Sequence, residues 1–284
     1  MKSQFILLAL FGALATATAQ GTPPPALATG EATTADNAGA DAPLTPAELA
    51  KQTQNPVATL VNVPIQNNWD FGIGPASAMK YTADIQPVIP VMLNQDWKLI
   101  VRTIMPIIYA EAPVQGGADH SGLGDIEQGF YLARRKPVHG WIMSCGPELT
   151  YPAASDHDLG AGKWSAGPSA FLLRQEHGFT YGIKTDQLWS YAGEDHRPDV
   201  NATYLQPFFS YTTKHCTSFG VDAEATYNWE ASQWTVPINA GVTQLIKFGK
   251  QPVSIQLAYR YYAQRPSGGP DWGLRFSVTF LFPK

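Results

Sequence analysis

The stretch Leu274-Arg275-Phe276-Ser277-Val278-Thr279-Phe280-Leu281-Phe282 alternates large apolar residues with mainly small or polar ones. Successive side chains of a strand point to opposite sides. Leu274, Phe276, Val278, Phe280 and Phe282 therefore make one greasy face, and the residues between them make a mostly wet one. Such a strand asks for two solvents at once. Lying at the C-terminus of a chain that opens with an export signal, it predicts the closing strand of an outer-membrane β-barrel, apolar side toward lipid.

The export signal is read from Met1-Lys2-Ser3-Gln4, the short apolar run from Phe5 to Leu14, and the cleavage pattern Ala17-Thr18-Ala19. It predicts a signal peptide over 1–19 and a mature chain beginning at Gln20. The run is too short for a transmembrane anchor, and no later segment offers the roughly 20 apolar residues that a spanning helix needs. Residues 20–50 are rich in Ala, Pro and Thr and have no period, which predicts a disordered periplasmic leader. At its end Thr45-Pro46-Ala47-Glu48 has the form of a capped helix start, for a short helix ending near Gln54-Asn55-Pro56. The barrel domain is expected over 51–284.

From there the chain is strands and turns. The fold class is all-β, a transmembrane antiparallel barrel of about twelve strands, each near the roughly 9–11 residues that cross a bilayer at a tilt. The expected spans are 57–71, 81–92, 97–110, 123–134, 138–151, 163–174, 179–191, 201–212, 216–229, 233–246, 252–263 and 271–282. Short connections such as Asn94-Gln95-Asp96 and Phe248-Gly249-Lys250 alternate with longer ones such as Ala112 to Gly122 and Pro152 to Gly162. Short periplasmic turns and longer outer loops are the habit of such barrels. All eight tryptophans fall near expected strand ends, where an indole suits the membrane–water boundary. Six prolines (Pro87, Pro106, Pro147, Pro168, Pro207 and Pro237) fall inside expected strands, where a missing N–H breaks a ladder, so they mark either bulges or strand limits that lie a few residues away from those expected.

Composition agrees with this. Charged residues are 15% of the chain and aromatics 12%, against about 25% charged in soluble domains. A net charge of −4 gives no basic surplus for nucleic acid. Cys145 and Cys216 lie on non-neighbouring expected strands and have no ligand-spaced partner, which predicts two free thiols and no metal site.

Several islands together carry a family likeness: Gln54-Asn55-Pro56, Asn67-Asn68-Trp69, Ile85-Gln86-Pro87-Val88-Ile89-Pro90, Gly122-Leu123-Gly124-Asp125, Leu159-Gly160-Ala161-Gly162-Lys163-Trp164, Gly167-Pro168-Ser169, Trp234-Thr235-Val236-Pro237, Gly249-Lys250-Gln251-Pro252 and Gly269-Pro270-Asp271-Trp272. From about residue 50 to its end the chain resembles the outer-membrane proteins grouped as the MetA-pathway-of-phenol-degradation family, labelled transporters. The resemblance implies a Gram-negative outer-membrane barrel passing small, including aromatic, compounds. It carries no catalytic or binding residue. One departure is that Pro283-Lys284 follow Phe282, where such barrels commonly end on an aromatic residue.

With the apolar members facing lipid, the other members face the lumen. The expected lumen-lining residues are Arg102, Lys184, Arg260, Arg275, Asp84, Asp222 and Glu224, with Asp125, Glu127, Glu148, Asp186 and Lys98 on the same side. A charge on the lipid face at mid-bilayer costs about 2–4 kcal/mol, which fixes this choice. Mixed charges suit a polar conduit, and equally a salt-bridged interior that braces the wall. Arg260 and Arg275, on adjacent strands, are the foremost candidates for a basic patch. For catalysis, His120-Ser121 is the sole close His/Ser pair, and neighbours on a loop are poor evidence of a hydrolase. The expected function is a porin-like outer-membrane channel with lipid around it and a small-molecule solute inside it. The alternatives are an outer-membrane lipid-modifying enzyme or a soluble periplasmic β-barrel that binds a ligand. No cofactor and no catalytic residue are expected.

Overall fold

The computed structural model describes residues 45–283. The expected signal peptide, and the expected leader up to residue 44, lie outside the described residues. The chain begins with helix α1 (Pro46–Thr53) and continues as β1 (Val61–Ile73), β2 (Ala78–Ile85), β3 (Val88–Met92), β4 (Trp97–Ala110), β5 (His120–Leu123), β6 (Ile126–Arg134), β7 (Trp141–Tyr151), β8 (Lys163–Glu176), β9 (Phe179–Gly193), β10 (Asn201–Thr212), β11 (Thr217–Ala223), β12 (Ala225–Asn228), β13 (Gln233–Phe248), β14 (Gln251–Gln264) and β15 (Trp272–Phe282). β2 and β3, β5 and β6, and β11 and β12 run end to end, so the fifteen segments form a closed antiparallel barrel of twelve strands.

The first and last strands join in a continuous seam, from Val61 opposite Phe282 to Phe71 opposite Trp272. No edge is left, which is what a β-structure in hydrocarbon requires, because every backbone polar group must find its partner within the protein. Among the described residues no helix is long and apolar enough to cross a membrane. The apolar members of each alternation point out of the ring: Leu257 is 61% exposed, Tyr261 55% and Phe219 52%. Their neighbours Ala258, Arg260 and Ser218 are buried within it.

The mid-strand prolines sit where the ladder is interrupted. Pro87 separates β2 from β3. The gap between β5 and β6 lies across from Pro106, whose carbonyl accepts from the N–H of Gly124 at 2.8 Å. Pro147 and Pro168 pair with each other across β7 and β8. Glu224, between β11 and β12, donates its N–H to the carbonyl of Pro237 at 2.9 Å. Each gap is so short that facing is preserved: Asp84, Gln86 and Val88 all lie on the inner side. The wall is notched, and at Val236/Pro237 the ladder with β14 shifts register by a bulge.

Aromatic residues ring both ends. At the end carrying the short turns, Trp97 lies under the Arg134 guanidinium at 5.2 Å and Trp141 under that of Arg174 at 5.9 Å. At the end carrying the longer loops, Phe71 stacks on Trp272 at 4.6 Å, and Tyr227 contacts both Trp229 and Trp234. These are the positions at which an amphipathic ring prefers the headgroup boundary.

The helix expected at Thr45 is present, with a full capping box. Thr45 Oγ1 accepts from the N–H of Glu48 at 3.3 Å, and Glu48 Oε2 accepts from the N–H of Thr45 at 2.8 Å. Inside the turn end of the barrel its Leu49 and Ala50, followed by Ala58 and Leu60, pack on the inward Leu245 and Leu281. Val57 is fully buried among Val88, Ile100, Tyr131, Ala133, Phe171 and Leu173. Residues 46–60 therefore belong to the barrel interior. Cys145 and Cys216 are both free thiols.

Candidate functional site

Above the apolar layer the lumen is polar. Among the described residues the twelve-strand ring encloses a cavity of about 480 Å³ toward the loop end and another of about 250 Å³ toward the turn end. Gln66, Gln86, Arg102, Gln206 and Arg275 line both, and so form the neck between them.

The wall positions its charges in two networks. The first is centred on Asn68 and Glu224. Glu224 accepts from Arg275 Nη2 at 2.9 Å and from Arg260 Nη1 at 3.1 Å. Arg260 Nε also donates to Asp70 Oδ1 at 3.1 Å. The Asn68 side-chain oxygen accepts from Arg275 Nε at 2.8 Å and Arg260 Nη1 at 3.3 Å, while its amide donates to Asp84 Oδ2 at 3.2 Å. Asn68 lies opposite Arg275 in the β1–β15 seam, so this network also fastens the ring where its two ends meet.

The second network surrounds Lys184. Its ammonium is 3.0 Å from Asp186 Oδ2, 3.6 Å from Glu148 Oε1 and 3.7 Å from Glu127 Oε1, and it lies 5.0 Å from the centre of the Tyr204 ring. Glu148 also accepts a short hydrogen bond from the Tyr131 hydroxyl. That ring has room because Gly129 stands beside it: a Cβ at Gly129 would lie 2.1 Å from the tyrosine oxygen.

Arg260 and Arg275 are thus bridged by carboxylates and do not form an open basic patch. Lys184 is enclosed likewise. Asp222 is held by the amide of Asn239 at 2.8 Å and lines the smaller cavity; Asp84 lines the larger one. Arg102 differs from Arg260, Arg275 and Lys184. Among the described residues no carboxylate approaches it within 4.0 Å, and its single side-chain hydrogen bond runs from Nη2 to Gln86 Oε1 at 2.9 Å.

Several lumen residues escaped sequence reasoning: Asn68, Asp70, Gln66, Gln86, Gln206, Tyr131 and Tyr204. Gln86 shares parity with Asp84 and Tyr131 with Glu127, which was the available signal there; β10, which carries Tyr204 and Gln206, has no charged residue to mark its inner face. The grouping of these residues depends on strand register, which alternation alone does not set.

At the loop end His120 Nδ1 lies 3.0 Å from Asp156 Oδ2 and Nε2 lies 3.2 Å from Asp158 Oδ2. Both ring nitrogens therefore face carboxylates, and among the described residues no serine hydroxyl is bonded to this imidazole.

The barrel is similar to solved outer-membrane proteins. The COG4313 outer membrane channel from Pseudomonas putida F1 superposes with a TM-score of 0.63 at 14% identity, covering 79% of this chain and 96% of that one. Outer membrane phospholipase A from Escherichia coli gives a TM-score of 0.47 at 11% identity, covering 83% and 98%. The CymD monoaromatic hydrocarbon channel gives 0.41 at 9% identity, covering 85% and 91%. No protein-family model and no curated protein matches the sequence. At these identities the likeness concerns the fold: a closed barrel of the Gram-negative outer-membrane kind.

Proposed function

We propose that this protein is an outer-membrane channel for small molecules, exported by the signal at 1–19, akin in role to the transporters of the phenol-degradation family that it resembles. The carrying observation is the pair of polar cavities that meet at the neck lined by Gln66, Gln86, Arg102, Gln206 and Arg275, inside a ring whose outer face is apolar. A barrel that needed only filling would close its centre with side chains. Here carboxylates and cations keep space for water, and fixed charges of both signs grade what can enter it.

The likeness to a barrel described as an outer membrane channel supports this reading. The alternative of a lipid-modifying enzyme would need a histidine serving a serine, and His120 serves Asp156 and Asp158 instead. The outward Leu257, Tyr261 and Phe219 favour a membrane protein over a soluble binder.

The test is reconstitution of the purified protein. Planar bilayers should show discrete conductance steps, and liposomes loaded with an impermeant osmolyte should swell in solutions of small solutes such as glycine or phenol. Electrical silence together with no swelling in any small solute would overturn the channel reading.

A further inference from the structure

We propose that Arg102 anchors a binding site for small monocarboxylates at the neck of the lumen. Entry to this site from outside rests on the channel reading, while the binding itself does not.

The case begins with unmet donors. A guanidinium carries five N–H groups in a planar fork. Arg260 and Arg275 spend theirs on Asp70, Glu224 and Asn68. Arg102, half-buried on β4, has only Gln86. A cation withdrawn from water without a counter-charge is costly. Glu127 and Glu148 do not supply one cheaply, because they are drawn to Lys184 at 3.7 and 3.6 Å. Arg102 lines both cavities, and Gln86 takes only one of its donors. A carboxylate matches that fork with two parallel hydrogen bonds.

The surroundings narrow the class. Asp84 borders the larger cavity and Asp222 the smaller, each held by an amide and neither paired with a cation within 4.0 Å among the described residues. A second negative charge on the ligand would meet one of them, so a dianion is disfavoured where a monoanion is not. Beyond the neck the walls turn partly apolar, with Ile104, Leu188 and Tyr204 on one side and Val88 and Phe208 on the other. They suit a small uncharged body attached to the carboxylate. A cavity of about 480 Å³ is in the range of small-molecule sites, roughly 300–1,000 Å³.

Equilibrium dialysis of the purified full chain in detergent tests this with three radiolabelled probes: benzoate, its neutral isostere benzamide, and the dianion phthalate. Benzoate should bind about tenfold or more tightly than either of the others, since benzamide lacks the hydrogen-bonded charge and phthalate adds a second one that meets Asp84 or Asp222. Arg102→Gln should remove that preference, and Arg102→Lys should restore part of it, keeping the charge and losing the fork. Heat-modifiable migration on gels verifies that each variant is a folded barrel. Equal binding of benzoate and benzamide, or a benzoate preference that survives in a folded Arg102→Gln protein, overturns the proposal. Benzoate binding at Arg102 without conductance or swelling would leave the site standing and remove the channel reading. Conductance without benzoate preference would do the reverse.

Discussion

Arg275 holds Glu224 with its Nη2 2.9 Å from both carboxylate oxygens, in a lumen where Arg260 reaches the same carboxylate at 3.1 Å. One acid thus compensates two guanidinium groups drawn from β14 and β15. Removing one partner of a buried pair leaves an uncompensated charge and costs about 3–5 kcal/mol. Arg260 keeps Asp70, so Glu224→Gln should fall at the lower end, about 3 kcal/mol. It should also move the reversal potential of the reconstituted protein toward anions. Urea unfolding followed by tryptophan fluorescence measures the first effect and asymmetric-salt bilayers the second. An unchanged unfolding midpoint would show that the network is dispensable.

Gly146 lets β6 and β7 approach beside a proline. A Cβ there would lie 1.8 Å from the carbonyl oxygen of Phe130, a backbone atom that cannot rotate aside. Gly146→Ala should therefore shift the strand and destabilise by about 1–3 kcal/mol, the range for overpacking. Gly249, in the β13–β14 turn, has φ +60° with nothing within 4 Å of such a Cβ, so Gly249→Ala is strained by backbone conformation alone. About 1 kcal/mol is expected there. Thermal unfolding of the two variants side by side should rank Gly146→Ala as the more damaging.

The barrel was legible because period-two alternation is a local property. Leu257, Tyr259 and Tyr261 announce an outward face, and with it the inward placement of Ala258 and Arg260. The prolines were harder, because whether Pro106 breaks a strand depends on Gly124 across the ladder. The interior networks were harder still. Arg260 and Arg275 sit on adjacent strands and share parity, which made them resemble an open basic patch. What neutralises them is Glu224, from a strand reached only once register is fixed. The place of α1 was not legible at all. Its cap is written in Thr45 and Glu48, but its seat against Leu245 and Leu281 is a long-range fact.

Lys98 holds the segment that α1 leads into. Its ammonium donates to the carbonyl of Val57 at 2.8 Å, within a largely apolar layer. A hydrogen bond to a charged group contributes about 1.5–3 kcal/mol. Lys98→Met keeps the length and removes the bond, so residues 46–60 should leave the turn end more often. Trypsin cleavage at Lys51 of the folded protein should speed up about tenfold, and open-state current noise should rise. Deleting residues 46–60 should raise the single-channel conductance by a larger factor. Unchanged cleavage in Lys98→Met would mean that apolar packing of Leu49 and Val57 alone holds the segment.

The loop end supplies a pH test. Asp156 is held below the ordinary carboxylate value of 3.8, first by the backbone N–H of Asp158 and then by the side chain of His120. A depressed carboxylate stabilises the folded loop fully above the unfolded value, and that contribution is lost as pH falls through the lower folded value. The link between the β4–β5 and β7–β8 loops should therefore persist to below pH 3.8 and release only under stronger acid. Carboxyl carbon NMR of the detergent-solubilised protein should give Asp156 a midpoint under 3.8. Asp158→Pro, which removes the N–H, should raise that midpoint more than His120→Ala does, because the backbone bond is the larger cause. A wild-type midpoint at or above 3.8 would contradict the geometry, and a larger effect from His120→Ala would place the imidazole ahead of the backbone.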